Sequence, residues 1–168
     1  MFNIGDYVVC GNNGVCKVES IGTLDVSGIS KEREYYTMDK VYSKGSKVYI
    51  PVDNTKTVLR PVISKDEAYS LIDNMDTVEE LTIDIKNRKK ADVIKESIQK
   101  HDCMELMRVL KTLHISREAK LSQGKKLTAL DDNYYRMAED NLIDELAISM
   151  ELDREDVRNI ITEKVKLL

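Results

Sequence analysis

An α+β fold in two parts is what the sequence predicts, on three observations. Apolar residues alternate in short runs up to about residue 62, then recur at helical spacing. Val, Ile, Tyr and Gly crowd the first part, while Leu, Met, Ala, Lys and Glu dominate the second. The charge also changes sign twice. Residues 1–85 carry 9 Lys/Arg against 14 Asp/Glu, residues 86–126 carry 12 against 5, and residues 127–168 carry 5 against 11. A chain of 168 residues can make one domain or two small ones, and the change of period favours two, 1–62 and 63–168.

Tyr7-Val8-Val9-Cys10 reads as a strand and Gly11-Asn12-Asn13-Gly14 as a tight turn, because Asn and Gly tolerate positive φ. Val15 to Ile21 then resumes the alternation. Further strands are expected at about residues 34–38, 47–51 and 57–59, the second of these entered through Lys44-Gly45-Ser46. Five short strands joined by turns cannot bury a wide flat sheet. They predict a small SH3- or Tudor-like β-barrel with Val9, Val15, Val18, Tyr36, Val48 and Ile50 in its core. Pro51 ends or edges its strand, since it has no N–H for the ladder, and an open edge can accept a partner's strand. The Gly11–Gly14 run is no phosphate loop: Val15-Cys16 follows it, where that motif needs Gly-Lys-Ser/Thr and a helix.

The second part predicts a compact bundle of about five helices. Ser64 and Glu67 have capping-box spacing ahead of Ala68, Leu71 and Ile72. A short helix is expected around 78–81, then one from Lys86 to Ile98, then one over 103–114 capped by Asp102, with Ser116 as a further turn or a continuation. Gly124 breaks the pattern and leaves Lys125 and Lys126 in a loop. Thr128 and Asp131 repeat the cap spacing before Tyr135, Ala138, Leu142, Leu146 and Met150, and Asp153 opens the last helix.

Composition excludes several function classes. No apolar run approaches the ~20 residues of a membrane span, and no signal-peptide core opens the chain. Cys10, Cys16 and Cys103 make no CxxC pair, so reduced buried thiols in a reducing cytoplasm fit better than structural zinc. His101 and His114 are the only histidines and form neither HExxH nor a metal pair. The acidic pairs Asp131-Asp132 and Asp153/Asp156 sit at helix starts, where negative charge meets the helix dipole. No enzyme activity and no cofactor is expected. The basic middle segment instead points to a polyanion, met mainly through phosphate contacts, since it lacks the spacing of a base-reading helix.

These residues resemble the CarD/CdnL/TRCF family of bacterial transcription regulators. Gly5-Asp6-Tyr7-Val8-Val9 with Gly14-Val15-Cys16-Lys17-Val18 is similar to its opening pattern, and Tyr35-Tyr36 to its central tyrosine strand. Val48-Tyr49-Ile50-Pro51-Val52 and Leu59-Arg60-Pro61 resemble later segments. Arg88-Lys89-Lys90, Gly124-Lys125-Lys126-Leu127 and the stretch with Ala138, Leu142 and Glu145 resemble its helical half. The resemblance implies a barrel that docks on the β subunit of bacterial RNA polymerase, through Leu24, Tyr36, Val48, Tyr49, Ile50 and Pro51. It implies a helical domain that meets promoter DNA at the upstream edge of the bubble, through Lys86, Asn87, Arg88, Lys89, Lys90, Lys125 and Lys126. Open-complex lifetime would be the quantity altered, in a cytoplasmic, nucleoid-associated protein. The alternative is a nucleic-acid adaptor that works without polymerase.

The pattern departs from the family's in three places. Well-studied relatives carry a Trp that wedges at the minor-groove edge of the bubble; in this chain, which has no Trp, the corresponding position falls near Asn87. A small polar side chain can hydrogen-bond a base edge or sugar but cannot supply the apolar insertion. Basic residues that some relatives use against polymerase fall near Leu24 and Tyr49, which shifts docking toward strand pairing and apolar contact.

Overall fold

The computed structural model describes residues 1–28, 30–84 and 89–167, and the chain divides into two compact units, Met1–Val62 and Ile63–Leu168. The first is a five-stranded antiparallel sheet: β1 (Tyr7–Cys10), β2 (Val15–Gly22), β3 (Tyr35–Lys40), β4 (Lys47–Pro51) and β5 (Leu59–Pro61), in the order β4-β3-β2-β1-β5. No ladder joins β4 to β5 among the described residues, so the expected barrel stands as a sheet with two edges. One core nevertheless gathers Val8, Cys10, Cys16, Val18, Tyr36, Met38 and Val48, with Ile50 and Leu59 packed against it. A single layer that shares one core across all its strands must bend around it.

Register decides which residues enter that core. Val8 pairs with Cys16 and Val9 with Val15, so Val8, Cys10, Cys16 and Val18 share the inner face while Val9 and Val15 lie on the other. Val9 and Val15 are buried, yet they belong to neither core cluster, which corrects the expected set of core residues. A shift of register between Val18 and Ser20 then brings Ile21, an odd-numbered residue, opposite Tyr36 and onto the inner face. The Gly11–Gly14 reversal is one turn of 3-10 helix (Gly11–Asn13), closed by Gly14 at φ 73°.

The second unit contains α1 (Lys65–Asp73), a 3-10 turn (Met75–Thr77), α2 (Lys90–Gln99), α3 (Cys103–Ser122), α4 (Ala129–Met150) and α5 (Arg154–Val165). Its starts follow the cap chemistry. Ser64 and Glu67 close a reciprocal capping box on α1, Asp102 Oδ1 accepts from Glu105 N–H at 3.1 Å, and Thr128 Oγ1 accepts from Asp131 N–H at 3.2 Å. Asp153 stands at the N-cap of α5 but makes no capping bond with its side chain. The short helix expected at 78–81 is absent, and the turn falls at Met75–Thr77 instead. α3 continues through Ser116, so its 20 residues run roughly 30 Å. The core is formed by Ala68, Ile72, Ile94, Leu106, Met107, Leu110, Leu142, Leu146, Val157 and Ile161 among others.

Glu145 is a buried polar group inside this bundle, 2% exposed. Its Oε1 accepts from Ile63 N–H at 3.0 Å, and the Cys103 Sγ lies 3.1 Å from its Oε2. The carboxylate thus ties the first residue of the unit and the start of α3 to α4.

Candidate functional site

Two surfaces are candidates for contact, one in each unit. In the sheet it is the edge of β4. Every β3–β4 partner pair follows one register, Tyr36 with Ile50 and Thr37 with Tyr49. Lys40 N–H donates to Ser46 O at 3.0 Å and Val52 N–H to Glu34 O at 3.0 Å, which marks the even-numbered residues of β4 as the hydrogen-bonded ones. The main-chain groups of Lys47 and Tyr49 therefore face away from β3. Pro51 ends the row: it has no N–H, and its carbonyl accepts from Asn54 N–H at 3.0 Å. At the opposite edge Val62 N–H donates to Tyr7 O at 3.3 Å, so on three-residue β5 it is Leu59 and Pro61 that face outward, and Pro61 has no donor. β4 is the more open edge.

The residues expected to meet polymerase divide between core and surface. Tyr36 is 2% exposed, packs edge-on against Phe2 with ring centroids 5.8 Å apart, and accepts Phe2 N–H on its hydroxyl at 3.1 Å. Val48 is also buried in the core. Tyr49, Ile50 and Pro51 are half-buried along the edge strand, and Leu24 is half-buried in the β2–β3 connection.

In the helical unit the surface is one end of the bundle, where α2 begins, α3 ends and α4 begins. Lys90, the first residue of α2, places its Nζ 3.0 Å from Ser116 Oγ on α3 and 3.5 Å from Asp131 Oδ2 on α4. Lys120 Nζ donates to the same Asp131 oxygen at 2.7 Å. Burial works to raise the Asp131 carboxyl. The Lys120 hydrogen bond, the charges of Lys90 and Lys120 and a bond with Thr128 outweigh it and hold the group below the ordinary carboxylate value. Arg117 lies 3.9 Å from Asp132 at the same end.

Lys125 and Lys126 are exposed directly after α3. Lys125 N–H donates to Lys120 O at 2.9 Å and Gly124 N–H to Leu121 O at 3.0 Å, with Gly124 at φ 67°. This Schellman closure needs the left-handed conformation that glycine adopts without strain. It turns the chain so that Lys125 and Lys126 follow the last turn of α3, next to Lys120. Lys89 is exposed at the N-cap of α2. Lys86, Asn87 and Arg88 lie outside the described residues.

The helix ends thus bring Lys89, Lys90, Arg117, Lys120, Lys125 and Lys126 to one end of the unit. Arg117 and Lys120 were not singled out in the sequence, although their spacing of three on a helix puts them on one face. A groove of about 720 Å³ opens near the other end of α3, lined by Leu71, Val78 and Met104 and by a net acidic rim of Glu67, Glu79, Asp102 and Arg108. That rim has the wrong sign for a polyanion.

Among the described residues no group of three or more His, Cys, Asp or Glu is placed to hold a metal ion, and no helix is long and apolar enough to cross a membrane. No curated protein matches the chain. Residues 2–63, which correspond to the sheet unit, match the family model described as CarD-like/TRCF RID domain.

Proposed function

We propose that the chain is a transcription regulator in which the sheet unit docks on the β subunit of bacterial RNA polymerase and the helical unit meets promoter DNA. The match of residues 2–63 to the RID domain carries this reading. Such domains are non-catalytic, and a general role in transcription regulation follows from the match. The open β4 edge supports the docking half. An incoming strand would pair with Lys47 and Tyr49, while Tyr49, Ile50, Pro51 and Leu24 offer apolar contact and the buried Tyr36 and Val48 hold the edge in place.

The basic bundle end supports the DNA half. Phosphates would be met by Lys89, Lys90, Lys125 and Lys126, joined by Lys86 and Arg88 of the same basic run, at the upstream edge of the opening bubble. Asn87 replaces an apolar wedge with a polar group, so the helical unit grips the backbone more than it unstacks bases. The consequence is a change in open-complex lifetime without a fixed operator, in a nucleoid-associated protein.

The test is a footprint on an opening promoter with polymerase present, comparing wild type with Arg88→Ala/Lys89→Ala/Lys90→Ala. Protection at the upstream bubble edge that the variant loses, with polymerase binding unchanged, supports the proposal. Equal DNA affinity with and without polymerase would instead identify a polymerase-independent nucleic-acid adaptor.

A further inference from the structure

Two of the three cysteines meet on the inner face of the sheet, in a pairing that neither docking nor DNA contact uses. Cys10 ends β1 and Cys16 lies near the start of β2, and both are 0% exposed within the same core. Val8 is the direct partner of Cys16, and Cys10 N–H donates to Gly14 O at 2.9 Å, so the two cysteines are diagonal neighbours across the hairpin. In a flat ladder such neighbours stand roughly 7–8 Å apart at Cα, somewhat beyond the span of a relaxed disulfide. Strand twist closes one diagonal of each pair and opens the other. Here both side chains enter one buried core, and the interaction between the two thiols is the largest influence on each, which favours the closed diagonal.

The surroundings make the two sulfurs unequal. Cys10 Sγ also accepts from Asn13 Nδ2 at 3.8 Å, and Lys40, the direct β3 partner of Cys16, contributes a positive charge. The Cys16 hydrogen bond, followed by burial acting in the opposite sense and then Asn13 and Lys40, leaves the Cys10 thiol at a pKa of about 7. Cys16, as the donor in that bond and itself buried, is pushed far above the ordinary thiol range. Of the two, Cys10 has the environment of a nucleophile and Cys16 that of a resolving partner. Cys103, in the helical unit, sits beside the Glu145 carboxylate and has no second cysteine near it in its own unit, which makes it an internal control.

We infer that Cys10 and Cys16 are an oxidisable dithiol, which hydrogen peroxide converts into a disulfide stapling β1 to β2. The Cys10 thiolate attacks one peroxide oxygen, the O–O bond breaks, and hydroxide leaves, giving Cys10 sulfenic acid. The Cys16 sulfur then attacks the sulfenic sulfur, the S–O bond breaks, and water leaves with the Cys16 proton. The two sulfurs lose two electrons in all, and the peroxide is reduced to water and hydroxide. Access comes through local opening of the Gly11–Asn13 turn, which separates the two strands. The hairpin has to tighten to hold the bond, so the disulfide is a readily reduced one. The inference concerns these thiols alone and stands or falls independently of polymerase docking.

The experiment takes the full reduced chain, exposes it to hydrogen peroxide, alkylates under denaturing conditions, and maps peptides without reductant. The expected result is loss of alkylation at Cys10 and Cys16 together, a Cys10–Cys16 linked peptide, retained alkylation at Cys103, and reversal by dithiothreitol. Cys16→Ser should leave a Cys10 sulfenic acid that dimedone traps, and Cys10→Ser should slow oxidation at Cys16 by at least about tenfold. Continued alkylation of both sites in the wild type would overturn the inference. Linkage of Cys103 between chains in place of the hairpin pair, or equal oxidation of the two variants, would do so as well.

Discussion

Lys120 Nζ lies 2.7 Å from Asp131 Oδ2, and the Lys90 Nζ approaches the same oxygen from another helix at 3.5 Å. One carboxylate thus holds two lysines at the bundle end proposed to meet DNA. It ties α2, α3 and α4 together there, and it cancels part of the positive field that a phosphate would feel.

Asp131→Asn should therefore separate stability from binding. Removing the charge releases both lysines, so affinity for non-specific duplex DNA should rise several-fold at low salt, read by fluorescence anisotropy. Stability should fall by about 0.5–1 kcal/mol, because the substitution removes two partly buried ion pairs and a charge at a helix start. The folded pKa of Asp131 is below its unfolded value. Its contribution is therefore complete above the ordinary 3.8 and disappears as pH falls through the lower folded value. Thermal melts from about pH 5 down to about pH 2 should show a shallower acid slope for the variant.

Lys125→Ala/Lys126→Ala should weaken DNA binding uniformly across sequences. Each phosphate that the variant no longer neutralises reduces the slope of log affinity against log salt by about 1. An unchanged slope would remove this loop from the interface.

The β4 edge allows a main-chain test. Tyr49→Pro deletes an N–H that faces away from β3, so the sheet should keep its fold, while an added strand loses its donor. Tyr49→Ala removes the same side chain but keeps the N–H. Binding to polymerase β should fall roughly five- to tenfold further in the proline variant than in the alanine variant, as loss of a main-chain hydrogen bond of ~1–1.5 kcal/mol implies.

Glu151 ends α4 at φ 58°, in the left-handed region where a side chain is strained, and its ion pair with Lys65 at 3.4 Å is exposed on both sides. Glu151→Gly should stabilise the helical unit by about 0.5–1 kcal/mol, visible as a higher Tm.

Glu145→Gln should do the reverse. One carboxylate oxygen becomes an NH₂ group facing either Ile63 N–H or the Cys103 thiol, and a buried unsatisfied donor costs roughly 1–3 kcal/mol. Denaturant unfolding would measure it.

Local chemistry in this chain was legible where a few adjacent residues decide the outcome. Ser64 with Glu67 and Thr128 with Asp131 announce helix starts by spacing, and both form the bonds that the spacing predicts. The inner face of the sheet was not legible in the same way. Val8-Val9-Cys10 is apolar on both phases, so alternation cannot choose between Val9 and its neighbours, and only the cross-strand register does. The start of α2 at Lys90 hid behind a run of cations with no capping side chain. The convergence of Lys90, Lys120 and Asp131 is long-range, and nothing local in the sequence encodes it. Val48 lies on the edge strand β4 and Tyr36 on its neighbour β3, yet both side chains belong to the core rather than to the exposed edge.

The most direct measurement of the central claim is equilibrium binding of the full chain to the isolated β subunit of bacterial RNA polymerase. Saturable binding that Tyr49→Pro weakens well beyond Tyr49→Ala and Lys125→Ala/Lys126→Ala leaves intact is the predicted result. A folded wild-type chain that fails to bind, or binds no better than its proline variant, would contradict it.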